Sequence, residues 1–559
     1  MIETKIKNDF YIFLFILASL LFAHSPVLWG DYLRQDDWNA AFWNIYKFSK
    51  IVRHPEFYNS AVEMFRPVST VFILIGDYIS HNIENASYIR LFNIFLLAIA
   101  SYLTYLWQIR LSPKKKCFAI SFALLAFSLP ASQLHSSTVS YGNMVFSIIC
   151  GQIAAFYSAK IFLENHDRAT RKKYYIYGIL FIFLGSLNYV LSSMFYFVFL
   201  LMFYLTSLKR DDLQKDHKNI KFIFKSTIFI FAVMVCYIII AKISFFLLGI
   251  KARNSERSVS IDLDFIEKIK HVINMLKYSF NLFDIAGYFK FNHWYSFFTI
   301  SFFLILSLFL LQKKRKLEHV PNQNKLLKFV SNTMFSPLII LGLLILAYSP
   351  ALAPKAIFSS FRYMPATMPF VLYIFLWSVV QIFESSFATS LRKTKESCFR
   401  LITKEEAVFI AITFFGLALC NHNLFSYIVG PHLHEMNYIR SNIELKALDN
   451  IKNNGETTIY IIKNNGKSYA KNNFSSLEYG FSTNYSHNWL VSATTYLMRQ
   501  YGYESIIGQP YEFLQWDDKA IHLKTSWGNI ISGKSIDSVN IKDKTNLVVI
   551  DMNKLGTFR

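Results

Sequence analysis

Charge is scarce in this sequence. Only 17% of its 559 residues are Asp, Glu, Lys or Arg, where soluble domains carry about 25%. Acid is scarcer than base, with 36 Asp and Glu against 58 Lys and Arg and a formal charge of +22. Cysteine is scarce as well. Cys117, Cys150, Cys236, Cys398 and Cys420 lie in or beside apolar runs or in a short basic loop. None falls in the long polar loops or the C-terminal tail, which excludes a disulfide-stapled scaffold. No internal repeat is found. What abounds is apolar: 53% of residues are hydrophobic and 18% aromatic. A soluble chain of this length would divide into roughly three or four domains. It would leave unexplained many apolar runs of about 18 or more residues, which read as transmembrane helices. A soluble enzyme, a DNA-binding protein and a disordered scaffold are therefore set aside.

Hydropathy predicts about eleven spans, at 10–29, 88–108, 117–133, 139–162, 174–187, 189–208, 222–248, 293–311, 330–349, 363–384 and 406–424. The fifth is short for crossing about 30 Å of hydrocarbon. A further apolar stretch, 67–80, follows a Pro, carries Asp77 and His81, and alternates Ile and Val with polar residues. It reads as a helix lying on the membrane surface. With the N-terminus inside and 67–80 not spanning, the segments 1–9, 109–116, 163–173, 208–221, 312–329 and 385–405 are cytoplasmic. They hold nearly half of all basic residues in well under a fifth of the chain, as the positive-inside rule requires. The C-terminus is then outside, and the basic balance needs no nucleic-acid partner. The first apolar run has no A-x-A site after it, so it is read as an uncleaved helix rather than a signal peptide.

The expected fold is thus an all-α polytopic membrane protein over 1–424, with outward loops 30–87 and 249–292. A small extramembrane α/β domain over 425–559 follows. In the second loop, 262–283 is amphipathic, with Ile266, Ile269, Val272, Ile273 and Leu276 at helical spacing. The tail opens on a predicted helix, 433–453, followed by strand-like runs at 457–462 and 547–551.

Two motifs in the first outward loop carry chemistry. Asp36, Asp37 and Trp38 follow the first span closely, and carboxylates at a membrane surface are solvated, paired or functional. The plain alternative is a helix cap with solvated charge. Phe65, Arg66, Pro67 and Val68 close the same loop. Their plain alternative is a Pro in the first turn of the surface helix, with Arg66 on lipid headgroups.

Asp36-Asp37-Trp38, then Phe65-Arg66-Pro67-Val68, then Asp77-Tyr78, then Tyr88 through Asn93 opening the second span, resembles the GT-C superfamily. These are multi-span glycosyltransferases that use polyprenyl-phosphate-linked sugars. The Arg-Pro pair and Asn93 are similar to two branches: the bacterial phage-type O-antigen glucosyltransferases and the eukaryotic O-mannosyltransferases with TPR repeats. His135 through Gly142, at the outer end of the third span, resembles the latter branch and its bacterial relatives. The motifs cover residues 10–160. Relatives that glycosylate proteins often carry an acid after the third span. Here that turn reads Gly142-Asn143, and no TPR tail follows the last span.

The resemblance implies an inverting transferase that moves a hexose such as glucose from undecaprenyl phosphate to O-antigen or lipopolysaccharide, at the periplasmic face of a bacterial inner membrane. Alternatives are a protein or lipid A acceptor on the same fold, a lipid-linked sugar transporter or flippase, or an O-antigen polymerase. Displacing a lipid phosphate needs a base for the acceptor hydroxyl and cations for the leaving group. Asp36 matches the first acid of the family's pair and is the candidate base, with Asp37 orienting it or binding acceptor hydroxyls. Arg66, Lys355 and Arg362 are candidates for the donor phosphate. Trp38, Asn93 and His135 are candidates for acceptor or substrate contact. Arg253 and Arg257 are read as surface charge before phosphate ligands. His432, His434 and Glu435 have weak metal spacing, so no metal or other cofactor is expected. Expected partners are the donor lipid, the glycan acceptor and membrane lipids. The Asn-x-Ser sequons at Asn85, Asn473 and Asn484 are discounted, because the Lys-, Ile-, Asn- and Phe-rich usage points to a bacterial gene.

Overall fold

The structure is a computed structural model. It describes residues 2–29, 32, 66–69, 71–72, 85–139, 142–208, 213–247, 293–317, 325–352, 364–387, 404–454, 457–462, 514–517, 520–525, 528–533 and 546–554, with scattered positions in 266–282 and 490–501. The helices in chain order are α1 Ile2–His24, α2 Ala86–Leu111, α3 Lys116–Ala126, α4 Pro130–Ser137, α5 Gly142–Leu163, α6 Arg168–Ser193, α7 Tyr196–Ser207, α8 Leu213–Leu247, α9 His293–Leu317, α10 Lys325–Tyr348, α11 Thr367–Phe387 and α12 Lys404–Asn423. The protein is a helical membrane protein with a small C-terminal sheet.

The count of eleven spans is corrected. Among the described residues, seven helices are long and apolar enough to cross a membrane, or eight if the pair α3 and α4, bent by 57°, is one span. The apolar helices at Tyr196–Ser207, Tyr295–Leu311 and Ser336–Tyr348 are shorter. α7 shows why hydropathy overcounts. Its 12 residues reach about 18 Å at 1.5 Å per residue, short of about 30 Å of hydrocarbon. Every one of them is buried, so its apolar run fills the inside of the bundle. Hydropathy alone does not separate a buried helix from a lipid-facing one.

One end of the bundle gathers charge. Lys115, just before α3, pairs with Glu384 of α11 at 2.9 Å and Glu405 of α12 at 2.7 Å. Arg110 of α2 pairs with Glu164 beyond α5. Asp167 caps α6 by accepting from the Ala169 and Thr170 amides at 3.2 Å; the Thr170 side chain, and then these amides, hold its carboxyl below the ordinary range. Thr206, near the end of α7, lines a small cavity with Gln108, Ser112 and Lys115. α6 and α7 therefore start and finish at this end, as an out-and-back excursion.

The turning point of that excursion is a backbone break at Tyr189 (φ −152°, ψ 97°). A broken helix frees backbone groups that lipid does not satisfy, and Ser147 of α5 supplies them. Its hydroxyl accepts from the Tyr189 amide at 3.1 Å and donates to the Gly185 carbonyl at 3.0 Å. Small residues let α5 and α6 approach closely: a Cβ on Gly151 would stand 2.1 Å from the Ser193 carbonyl oxygen.

The last helix does not stop at the membrane. α12 passes through a π-helical turn, Leu424–Val429, into α13 Gly430–Asn442, then through a second, Ile443–Ala447, into α14 Leu448–Asn454. This single rod of about 75 Å at 1.5 Å per residue crosses the expected domain division at 424/425. The strands are β1 Thr457–Ile462, β2 Leu514–Asp517, β3 Ala520–Thr525, β4 Gly528–Gly533 and β5 Leu547–Asp551, ordered β2-β3-β4-β1-β5. β1 runs parallel to both β4 and β5, while β2, β3 and β4 pair antiparallel. Its unbroken TTIYII run suits a strand covered on both faces. Ile459 and Ile461 join Met436, Ile439 and Ile443 of the rod, and Tyr460 meets Ile531 on the other face. Ala86 and Ile89 of α2 and Val139 belong to the same core as the rod and sheet. The sheet unit is thereby seated on the end of the bundle away from Lys115.

Candidate functional site

Asp36, Asp37, Trp38, Lys355, Arg362, Arg253 and Arg257 lie outside the described residues. So does most of the 67–80 surface helix; its described part is helical at 67–69 and 71–72. The site is built from the described residues.

Arg90 is the first anchor. It sits in the opening turns of α2, fully buried, where a charge must be paired to be tolerated. Its Nη1 donates to the Val27 carbonyl at 3.1 Å and its Nη2 to the Tyr32 carbonyl. The guanidinium lies 3.7 Å from the centre of the Tyr32 ring, a cation–π contact. That ring also meets His432 of α13, with ring centres 5.9 Å apart, and His432 Nδ1 donates to the Ile428 carbonyl at 2.6 Å. Arg90 thus ties together the end of the first helix, the start of the acid-bearing loop and the rod.

Asn93 lies one turn along α2 and is 1% exposed. Its amide donates to the carbonyls of His135 (3.2 Å) and Thr138 (3.1 Å), holding the turn that leads from α4 to α5. A Cβ on Gly142 would stand 2.0 Å from Asn93 Oδ1, so glycine is required there for the carboxamide to fit. In Gly142→Ala we expect Asn93 to be displaced and both hydrogen bonds lost, a destabilisation of about 2–3 kcal/mol. The two sites are coupled. Adding Asn93→Ala should therefore cost clearly less than the sum of the two single changes in thermal unfolding of the detergent-purified protein; strict additivity would refute the contact.

His135 is fully buried, and among the described residues neither ring nitrogen has a hydrogen-bond partner. Buried polar atoms are normally satisfied, so this ring carries unused donor and acceptor capacity. His24 is a contrast. Its Nε2 donates to the Phe127 carbonyl at 2.9 Å and its Nδ1 pairs with the Ser136 hydroxyl at 2.8 Å, joining α1 to α4 as a structural tie.

Arg66 is the second anchor. Its guanidinium lies 4.8 Å over the ring of Tyr189 at the α6 break. Beside it, Asn188 donates to the Asn143 carbonyl and to Ser147 Oγ at 3.0 Å, while the Asn143 amide donates to Ser69 Oγ. The predicted residues Arg66, Asn93 and His135 are thus brought to one end of the bundle. Of these, Asn93 holds the chain rather than presenting its amide. Among the described residues, no three His, Cys, Asp or Glu side chains gather to hold a metal.

Arg90 and Tyr32 were missed as site residues. The signal for Arg90 was present: a lone cation inside the apolar span 88–108 is a functional-site candidate by default. Tyr32 carries no such signal, since only the fold puts its ring on Arg90. No protein-family model matches this chain, and no curated protein matches it either.

Proposed function

We propose that this chain is a GT-C-type glycosyltransferase of the bacterial inner membrane. It moves a hexose such as glucose from undecaprenyl phosphate to a surface glycan such as O-antigen on the periplasmic side. The observation that carries this reading is the anchoring of the acid-bearing loop at both flanks. Tyr32 is held by Arg90 and Arg66 lies on Tyr189, both at the end of the bundle away from Lys115. Asp36 and Asp37 follow Tyr32 by four and five residues, a tether of at most about 18 Å at 3.6 Å per residue.

Asp36 takes the proton of the acceptor hydroxyl. The freed oxygen attacks the anomeric carbon from the face opposite the phosphate, and the carbon–oxygen bond to the lipid phosphate breaks with inversion. Arg66, Lys355 and Arg362 receive the charge that builds on the leaving phosphate. Asp37 orients the base, and Trp38 and His135 contact substrate. A monophosphate carries less charge than a pyrophosphate, so guanidinium and ammonium groups suffice at the leaving group. Activity is therefore expected to survive chelation. Loss of turnover in EDTA that Mg²⁺, Mn²⁺ or Zn²⁺ restores would instead assign a metal role to His432, His434 and Glu435.

The test is transfer by the purified protein in nanodiscs from labelled glucosyl undecaprenyl phosphate to O-antigen, lipid A or peptide acceptors. O-antigen product supports the reading, and product on another acceptor moves it to the alternative substrates. Orientation is checked in a cysteine-free background. Cysteines at 40 and 500 should react with an impermeant thiol reagent on spheroplasts, and those at 115 and 315 should not. A second reading, a lipid-linked sugar transporter, draws on the Tyr189 break and the 57° bend between α3 and α4, because broken helices mark transport sites. It predicts movement of the lipid across a proteoliposome bilayer with no sugar transferred.

A further inference from the structure

Two buried asparagines meet where α5 abuts the break in α6, the Asn188 carboxamide donating to the Asn143 backbone carbonyl. Asn143 is 4% exposed and Asn188 is fully buried. Their nitrogens are committed: Asn188 Nδ2 to the Asn143 carbonyl and Ser147 Oγ, Asn143 Nδ2 to Ser69 Oγ. Their oxygens are not. Among the described residues, neither Asn143 Oδ1 nor Asn188 Oδ1 receives a hydrogen bond, and the buried Ser192 Oγ nearby in the sequence of α6 has no partner either. An unsatisfied buried acceptor costs about 1–3 kcal/mol, so two so close together call for donors that the described residues do not supply.

We propose that Asn143 Oδ1 and Asn188 Oδ1 accept hydrogen bonds from adjacent hydroxyls of the pyranose ring of the donor sugar. The chemistry of the set selects this ligand. Two neutral acceptors fit O–H donors, and a polyol offers several on neighbouring carbons. A carboxylate or phosphate has no proton to give them, and among the described residues no three His, Cys, Asp or Glu side chains gather to hold a metal ion. The Ser69 hydroxyl accepts from Asn143 Nδ2 and so leaves Asn143 Oδ1 without a donor. Ser69 and Arg66 belong to one short segment that covers the pair. Sugar entry requires this segment to lift, which releases the Ser69 hydroxyl from the Asn143 nitrogen and opens the two oxygens to the sugar's hydroxyls. Arg66 then stands beside the sugar, where the phosphate of the same donor would lie. This proposal rests on the transferase reading and assigns its sugar subsite.

The test compares binding of glucosyl decaprenyl phosphate and of bare decaprenyl phosphate to the full-length protein in nanodiscs by native mass spectrometry. Wild type should prefer the glucosyl lipid, each hydrogen bond being worth about tenfold. Asn143→Leu and Asn188→Leu should lose that preference by about tenfold each while binding of the bare lipid stays unchanged. Should a leucine variant fail to fold, donor lipids carrying 2-deoxy-, 3-deoxy-, 4-deoxy- and 6-deoxyglucose bound to wild type give the same answer. At least one deoxy position should weaken binding about tenfold. A normal glucosyl preference in folded leucine variants, or an unchanged affinity across the deoxy series, would mean that ordered water serves these oxygens. The subsite would then be refuted and the transferase left standing. Binding that appears only with added Ca²⁺ would also refute it, as a cation site. Equal binding of both lipids by wild type would also refute the subsite, whereas the transferase reading is overturned separately, by lipid movement with no sugar transferred.

Discussion

Sugar transfer by Asp36→Asn is expected to fall by about 10²–10⁴-fold, the usual worth of a general base. The amide keeps the shape and much of the hydrogen bonding of the carboxylate but does not take a proton. Protein yield and donor binding should stay near wild type, because a loop acid seldom carries stability. Asp37→Asn should fall between wild type and Asp36→Asn if its role is orientation; a dead Asp37→Asn beside an active Asp36→Asn exchanges the two roles and leaves the mechanism standing. Arg362→Ala differs in kind, since removing a phosphate-binding cation weakens donor affinity as well as rate. The decisive measurement is turnover by the two single Asn variants and the double. Normal modification of the acceptor by all three would reduce the acid pair to surface charge and bring the transporter reading forward.

Arg90→Ala is expected to lower stability by about 3–5 kcal/mol. The guanidinium serves two carbonyls, Val27 and Tyr32. Hydrogen bonds from a charged group contribute about 1.5–3 kcal/mol each, and removing the donor leaves both acceptors buried and unpaired. The Tyr32 cation–π contact is lost as well. Arg90→Lys should recover only part of the loss, because one ammonium does not reproduce a planar fork. The readout is the unfolding temperature in detergent together with the rate of chymotryptic cleavage within residues 33–65. Both should change, because Arg90 is the tether at the N-terminal flank of that loop. An Arg90→Ala protein as stable and as protease-resistant as wild type would show that the tether carries no weight.

Each region expected to span does contain an apolar helix, because a run of apolar side chains is a local property that survives any packing. The topological use of each run is not local. Residues 189–208 are hydrophobic enough to span, yet the chain breaks at Tyr189 and the fully buried α7 follows. Whether such a run faces lipid or protein depends on its neighbours, and the Ser147 hydroxyl that makes the break affordable lies some forty residues away in sequence. The long rod was half legible: 406–424 and 433–453 were read as separate helices. The Gly430-Pro431 pair reads as a boundary, but it is carried within one helix just after a π-helical turn.

The sequence by itself determined that the protein is helical and membrane-embedded and that a small sheet closes the chain. It also determined where the charge-bearing motifs fall relative to the apolar runs. These follow from composition, hydrophobic run length and local spacing. Only the tertiary structure decided which of those motifs meet. It placed Tyr32 on Arg90 and Arg66 on Tyr189, spent Asn93 on two backbone carbonyls, and left the side-chain oxygens of Asn143 and Asn188 without a partner among the described residues. The physical reason is that hydrogen-bond satisfaction and ring contacts are settled between segments 40 to 400 residues apart. No local pattern encodes which buried donor will face which acceptor.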